Sequence, residues 1–280
     1  MVVQHNLTAM NSSRMLNITT DSQAKSTEKL SSGYKINRAA DDSAGFAISE
    51  KMRRQIRGLT QASSNAQDGI SCVQTAEGAL AEVHDMLQRM TELAVKAANG
   101  TQTSADRGYI NQEVQALVSE IDRVASTTTF NEQNLLDGSF KKIGLQVGAE
   151  SKQLITLDIA AMSAKGLKLT TGKPGDAANI SVGGIDGTNA QKAIKTIKDA
   201  LASVSKQRAD LGAVQNRLEH TIKNLDNVVE NTTSAESSIR DTDMAAEMVR
   251  YSNNNILAQA GQSMLAQANQ ANQGVLSLLS

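Results

Sequence analysis

The chain has 280 residues, and 28 Lys and Arg stand against 29 Asp and Glu, for a formal net charge of −1. That balance gives no global basic field for nucleic acid or for an anionic membrane. Three Phe, three Tyr and no Trp leave no stacking platform for single strands or sugars.

The first predicted element is a terminal helix. Residues 1–20 hold only Arg14 and His5 as ionisable side chains, and Val3, Leu7 and Met10 fall at helical spacing. No basic n-region precedes an apolar h-region here, so no Sec-type signal peptide is expected. From about Ala44 to Ala98 the apolar residues step by three or four without a break, from Ile48, Met52 and Ile56 through Leu87, Met90, Leu93 and Ala97. That is sustained bundle or coiled-coil periodicity. Asp41, Asp42 and Ser43 offer caps for its start, and Asn99-Gly100 offers a glycine stop. At 1.5 Å per residue such a helix spans roughly 80 Å. A compact chain of this length has a radius of gyration of only ~19 Å, so an elongated molecule is expected. Cys72, beside Val73 on the stripe, reads as a buried small hydrophobe. As the only cysteine it forms no intrachain disulfide.

A further helix is predicted over about Ser104–Ser126, with Ile110, Val114, Leu117, Val118, Ile121 and Val124 on its apolar stripe. The period then changes. Ile143, Leu145 and Val147, then Ile155, Leu157 and Ile159, alternate as two strands of a hairpin turning at residues 148–151. The hairpin region covers about 140–172. GKPGDAANISVGGIDG (172–187) holds the single Pro and lacks GxxxxGK[ST], which makes it a short loop and not a phosphate cradle. A third long helix follows over about Asn189–Ser234, its stripe passing through Arg208, whose stem can lie on apolar surface.

The last thirty residues, 251–280, contain no charged side chain, yet Ile256, Ala260, Met264, Ala268 and Val275 keep helical spacing. A terminal helix facing water normally carries charge. Uncharged, Ala- and Gln-rich ends suit packing against other copies of themselves, and alone they should be disordered or weakly helical. The expected polymerisation contacts are Val3, Leu7, Met10, Ile256, Leu257, Ala260, Met264, Ala268, Val275 and Leu276. The predicted fold is mainly α: an elongated antiparallel coiled coil or bundle of long N- and C-terminal helices with a small β-hairpin region in the middle. Residues 1–40 with 239–280 are expected to form an inner terminal-helix domain, and 41–238 an outer helical rod.

Catalytic and metal chemistry finds no foothold in the pattern. His5, His84 and His220 lie in no ligand spacing. Asp41-Asp42 reads as a helix cap, and the methionines at helical spacing read as core fillers. A hydrolase on a helical scaffold would need a clustered nucleophile and base, which the sequence does not offer. No apolar run approaches the ~20 residues of a membrane span. The expectation is a non-enzymatic protein with no cofactor, no metal, no nucleic acid and no membrane insertion.

The segments LSSGYKINRAADDSAG (30–45), GLTQASSNAQDGIS (58–71), LQRMTELAVKAANG (87–100), LGAVQNRLEHTIKNL (211–225) and QSMLAQANQANQGVLSLL (262–279) resemble bacterial flagellin in the family's order. The resemblance implies a subunit of the extracellular flagellar filament, exported unfolded by a type III pathway without a cleaved signal. It implies a minimal member without variable outer domains. It also implies partners: other copies of the chain in a helical filament, an export chaperone, and filament cap and hook-junction proteins. The tail from about Ile239 resembles the chaperone-held part of flagellins, with Ile256, Leu257 and Met264 as its candidate anchors. LQRMTELAV (87–95) and the neighbouring helix resemble the region bound by the vertebrate Toll-like flagellin receptor, and Arg89, Leu93 and Glu113 match its contact positions. Position 117 is Leu, where strongly stimulatory members tend to be basic. The alternative is a hook–filament junction protein, which would carry a larger divergent middle and a weaker match through 58–100.

Overall fold

The computed structural model describes residues 6–170, 180–183 and 188–279, with side chains up to Gln270. The elements are α1 (Leu7–Ser32), α2 (Ser43–Ala98), α3 (Ser104–Thr127), β1 (Thr129–Phe130), β2 (Gln133–Asn134), β3 (Ile143–Gln146), β4 (Leu154–Leu157), α4 (Thr188–Arg240) and α5 (Met244–Leu279). Contacts divide the chain into two units, one made by residues up to Ile56 with those from Glu230 on, the other by Arg57–Val229.

The larger unit is built on the stripes that the sequence displays. Leu80, Val83, Leu87 and Met90 of α2 are fully enclosed, with Val114 and Ile121 of α3 and Ile197 and Val204 of α4 in the same cluster. Alanines at 76, 94, 97, 190, 193 and 200 share that core. Their small side chains let helices approach closely, so the core is thin yet closed. Cys72 is buried among these residues, and burial pushes its thiol up from the ordinary value.

The hairpin forms as its alternation predicts. β3 and β4 pair antiparallel with Ile143 opposite Leu157 and Gln146 opposite Leu154. Ile155 and Leu157 are buried while Leu154 and Thr156 face out. Ile155 packs with Ala66 of α2 and Leu218 of α4. The Gln146 side chain donates to the carbonyls of Gly148 and Glu150 at 2.7 and 2.8 Å, which holds the turn. Ile159 lies beyond the strand but is buried, and its N–H donates to Phe140 O at 2.9 Å. β1 and β2 form a second, very short ladder around Asn131 and Glu132, which both take left-handed backbone, as a two-residue hairpin turn demands.

Backbone polar groups outside these ladders still need partners. Side chains of the helices supply them. Gln207, buried in α4, donates to Asp158 O at 3.0 Å and accepts from Ala160 N–H. Asp122 accepts from Ala164 N–H at 2.7 Å, Asn111 accepts from Val182 N–H at 3.1 Å, and Gln115 donates to Ile180 O at 2.6 Å. Of the expected loop at 172–187, residues 180–183 are so held, and the remainder, with Pro174, lies outside the described residues.

Two caps differ from expectation. Asp42 alone caps the start of α2, its carboxylate accepting from Ala44 and Gly45 N–H, whereas Asp41 accepts from Asn37 and Arg38 N–H in the preceding turn. At the far end Gly100 does not adopt left-handed backbone. The last carbonyls of α2 are taken instead by Arg107 of α3, which donates to Ala97 O at 2.9 Å and Asn99 O at 3.2 Å while almost wholly buried. α4 also runs to Arg240, six residues past the expected end.

In the smaller unit α1 and α5 run antiparallel. The Asn6 side chain caps α1 at Ala9 N–H and donates to Ala268 O, while further along α1 Leu16 lies against Gly261 of α5. A β-carbon on Gly261 would come 3.2 Å from Leu16 Cδ1, so glycine sets that close approach. Gly33 ends α1 in left-handed backbone (φ +77°), and its carbonyl accepts from Thr242 N–H.

Candidate assembly and recognition surfaces

The α1–α5 pair buries very little. Among its described side chains only Ser26, Glu247 and Ala258 are enclosed. The expected contact residues lie outward: Leu7 is 69% exposed and Ile256 65%, with Met10, Leu257 and Met264 similar and Ala260 exposed. Ala268 is half-buried, its carbonyl engaged by Asn6. Val3 lies outside the described residues; Val275 and Leu276 belong to α5, but their side chains are not described. Sequence reasoning missed Met15, Ile18, Met244, Met248 and Val249, which are also exposed. Their helical spacing is the signal that would have found them. Met15 and Leu16 of α1 with Leu257, Gly261 and Met264 of α5 line one groove. Apolar exposure on this scale makes these two helices a candidate interaction surface. The expectation that methionines fill the core therefore needs correction: Met90 and Met162 do so, whereas these helices present theirs to solvent.

Apart from Arg14, the charge of the pair gathers toward the C-terminal part of α1 and the start of α5. Lys25 and Lys29 of α1 meet Glu247 and Arg250 of α5 around a second cleft. Glu247 is buried and pairs with Arg250 at 3.4 Å.

The second surface joins α2 and α3. Arg89 donates to Glu113 at 2.9 and 3.1 Å and to Glu92 at 3.0 Å. The Glu113 hydrogen bond, then that of Glu92, raises the guanidinium pKa. All three side chains remain about half exposed, so the cluster orients charge more than it stabilises the fold. Leu93 is 3% exposed: the structure sets it beneath Arg89 and Glu113 in the cleft they line, not beside them on the surface. Its place on the α2 stripe accounts for that. Tyr109, 70% exposed on the same cleft, and Val95, also exposed, went unnoticed because each lies off its helix's apolar stripe. Leu117 is half-buried against the core.

Among the described residues no three His, Cys, Asp or Glu side chains are grouped to hold a metal ion. No described helix is long and apolar enough to cross a membrane. His84 contacts the Gln88 side chain at 2.9 Å on the same helix.

Comparison with known proteins agrees along the whole chain. The family described as the bacterial flagellin N-terminal helical region matches residues 3–141, and the bacterial flagellin C-terminal helical region matches 194–279. The flagellin of Halalkalibacterium halodurans is 55% identical over 279 residues, with both chains covered in full. The flagellar filament 31.3 kDa core protein of Treponema maltophilum is 50% identical over 289 aligned residues, and the flagellin of Bacillus subtilis 49% over 305, again with full coverage of each. Among solved structures, Bacillus cereus flagellin aligns with TM-score 0.46 at 30% identity, covering 58% of this chain and 88% of that one. A flagellar hook-associated protein from Vibrio parahaemolyticus aligns with TM-score 0.56 at 16% identity, covering 72% and 100%, a likeness of fold alone.

Proposed function

Since this chain belongs to the bacterial flagellin family, and so is a structural subunit of the flagellar filament and not an enzyme, we propose that α1 and α5 are the elements through which it polymerises. The observation that carries this reading is the apolar surface on those two helices. Leu7, Met10, Ile256, Leu257 and Met264 face solvent, while most large apolar side chains of α2, α3 and α4 are buried or half-buried, with Ile48, Val95, Tyr109 and Val228 as exceptions. Exposed apolar area at this density is costly in water, and other copies of the same pair can cover it. Val3, Val275 and Leu276 extend the stripes in sequence and are assigned the same role.

The ends order as they dock. In the isolated subunit a helix pair with so small a core is marginal, so helix formation and association proceed together. The uncharged Gln and Asn residues near the C-terminus suit a polar channel that holds neither sign of charge on a passing unfolded chain. Export precedes assembly, and a chaperone that covers Ile256, Leu257 and Met264 keeps this sticky face from premature association. The finished filament stands outside the cell, where cap and hook-junction proteins meet its ends. A host receptor of the Toll-like class reads Arg89 and Glu113 on the second surface, with Leu93 shaping it from beneath.

The test is to place Asp at Leu257 and Met264 together. The double variant keeps the fold of the larger unit, because neither residue belongs to it, but fails to extend filament seeds and loses chaperone binding. Undiminished extension would overturn the assignment of α5 as an assembly face. Arg89→Ala in a receptor reporter assay checks the second surface, with loss of signalling expected.

A further inference from the structure

Ten methionines occur in the chain, and the nine among the described residues are sharply sorted. Met90 and Met162 are enclosed in the larger unit at 0% and 4% exposure, and Met52 and Met86 are half-buried. Met10, Met15, Met244, Met248 and Met264 are 63%, 54%, 47%, 51% and 60% exposed, and every one lies on α1 or α5. Met15 and Met264 face the same groove from opposite helices. The sole cysteine, by contrast, is buried with its thiol pKa raised. The accessible oxidisable sulfur of the described residues is therefore thioether, concentrated on the proposed assembly face.

We propose that these five methionines form an oxidant-sensitive modification site that controls polymerisation. Their substrate class is the two-electron oxidants, hydrogen peroxide and hypochlorous acid. With peroxide, a thioether lone pair attacks one oxygen, the O–O bond breaks and an S–O bond forms. Sulfur loses two electrons, and the other oxygen leaves as hydroxide and takes a proton to become water. The product sulfoxide is polar and chiral where the thioether was apolar and pliable. In the groove it presents a strong acceptor beside Leu16, Leu257, Ala260 and Gly261, on a lining that also carries Asn11, Ser12 and Thr19. A methionine sulfoxide reductase supplied with a dithiol reverses the change, as the dithiol becomes a disulfide and the oxygen departs as water. Once the subunit is assembled, the same sulfurs are covered and oxidise slowly. This inference rests on the reading of α1 and α5 as assembly contacts.

The experiment uses the full-length chain. Purified subunit is treated with hydrogen peroxide, its sulfoxides are mapped by peptide mass spectrometry, and seeded extension is followed by light scattering. Sulfoxide is expected at the five exposed positions before Met90 or Met162, with extension slowed roughly tenfold or more, since moving a polar sulfoxide out of water into an assembly contact costs about that per site. Reductase with dithiothreitol restores the rate. A variant with Leu at all five positions is compared with its own untreated rate, and peroxide is expected to leave that rate unchanged although Cys72 is retained. Should that variant fail to assemble, the pair Met15→Leu and Met264→Leu is expected to be partly resistant. Undiminished extension by a subunit mapped as oxidised overturns the oxidation proposal alone. Equal oxidation rates in filament and subunit overturn it as well. Failure of the untreated chain to extend seeds overturns the assembly reading together with it.

Discussion

Arg240 serves three elements of the smaller unit from one position. Its guanidinium, 11% exposed, donates to Glu50 of α2 at 3.0 Å and lies 4.7 Å above the ring of Tyr34. Its carbonyl accepts from Lys35 N–H, fastening the segment after α1 to the end of α4. None of this was legible in the sequence, because the partners stand 190 positions apart and no periodicity links them. The Arg240 hydrogen bond, and then that of Arg53, holds the Glu50 carboxyl below the ordinary glutamate range. A folded-state pKa below the unfolded one stabilises the fold above the unfolded value, and that contribution is lost as pH falls through the folded value. Asp41 is lowered as well, chiefly by Arg38 N–H and then Asn37 N–H, so acid weakens both fastenings of this segment. The expected outcome is that Glu50→Gln lowers the melting temperature at neutral pH and that the gap to the parent closes in acid. A gap independent of pH would contradict the role given to the Glu50–Arg240 pair.

At the level of elements the helices were the readable part. Unbroken apolar steps located α2 and α3 within a residue or two at each end, and strict alternation located β3 and β4. β1 and β2 escaped because two residues cannot display a period. Helix ends were read less well, since a cap can come from a distant residue. Asn99-Gly100 has the local signature of a glycine stop, yet the carbonyls it leaves open are filled by Arg107 from the next helix. Removing that donor strands the buried Ala97 carbonyl, so Arg107→Met is expected to cost about 1–3 kcal/mol in urea unfolding. Gly100 has ordinary backbone and no atom within 4 Å of an added β-carbon, so Gly100→Ala is expected to be neutral or slightly stabilising. The reverse pattern of costs would mean that the glycine, and not Arg107, terminates α2. The candidate surfaces were legible in the same uneven way. The charge-poor ends pointed to α1 and α5, whereas the resemblance carried Leu93 over as a contact position although its place on the α2 stripe turns it inward.

For the molecule as a whole, the division of labour follows where apolar residues find partners. The Arg57–Val229 unit encloses its stripes within one chain. The other unit leaves most of its large apolar side chains in water, with charge absent from residue 251 onward. The inner and outer domains proposed from the sequence divide at 40/41 and 238/239. The contact boundaries fall at 56/57 and 229/230, because the start of α2 and the end of α4 are tied to Tyr34 and its neighbours. The central claim is that the subunit folds its middle alone but needs other copies to complete its ends. Its most direct test is seeded polymerisation followed by electron microscopy, with the full-length chain beside one trimmed to residues 41–238. Long filaments from the full-length chain, and none from a trimmed chain that remains helical and monomeric, are the predicted result. Filaments of equal length from the trimmed chain would contradict the claim and move the assembly contacts onto the larger unit.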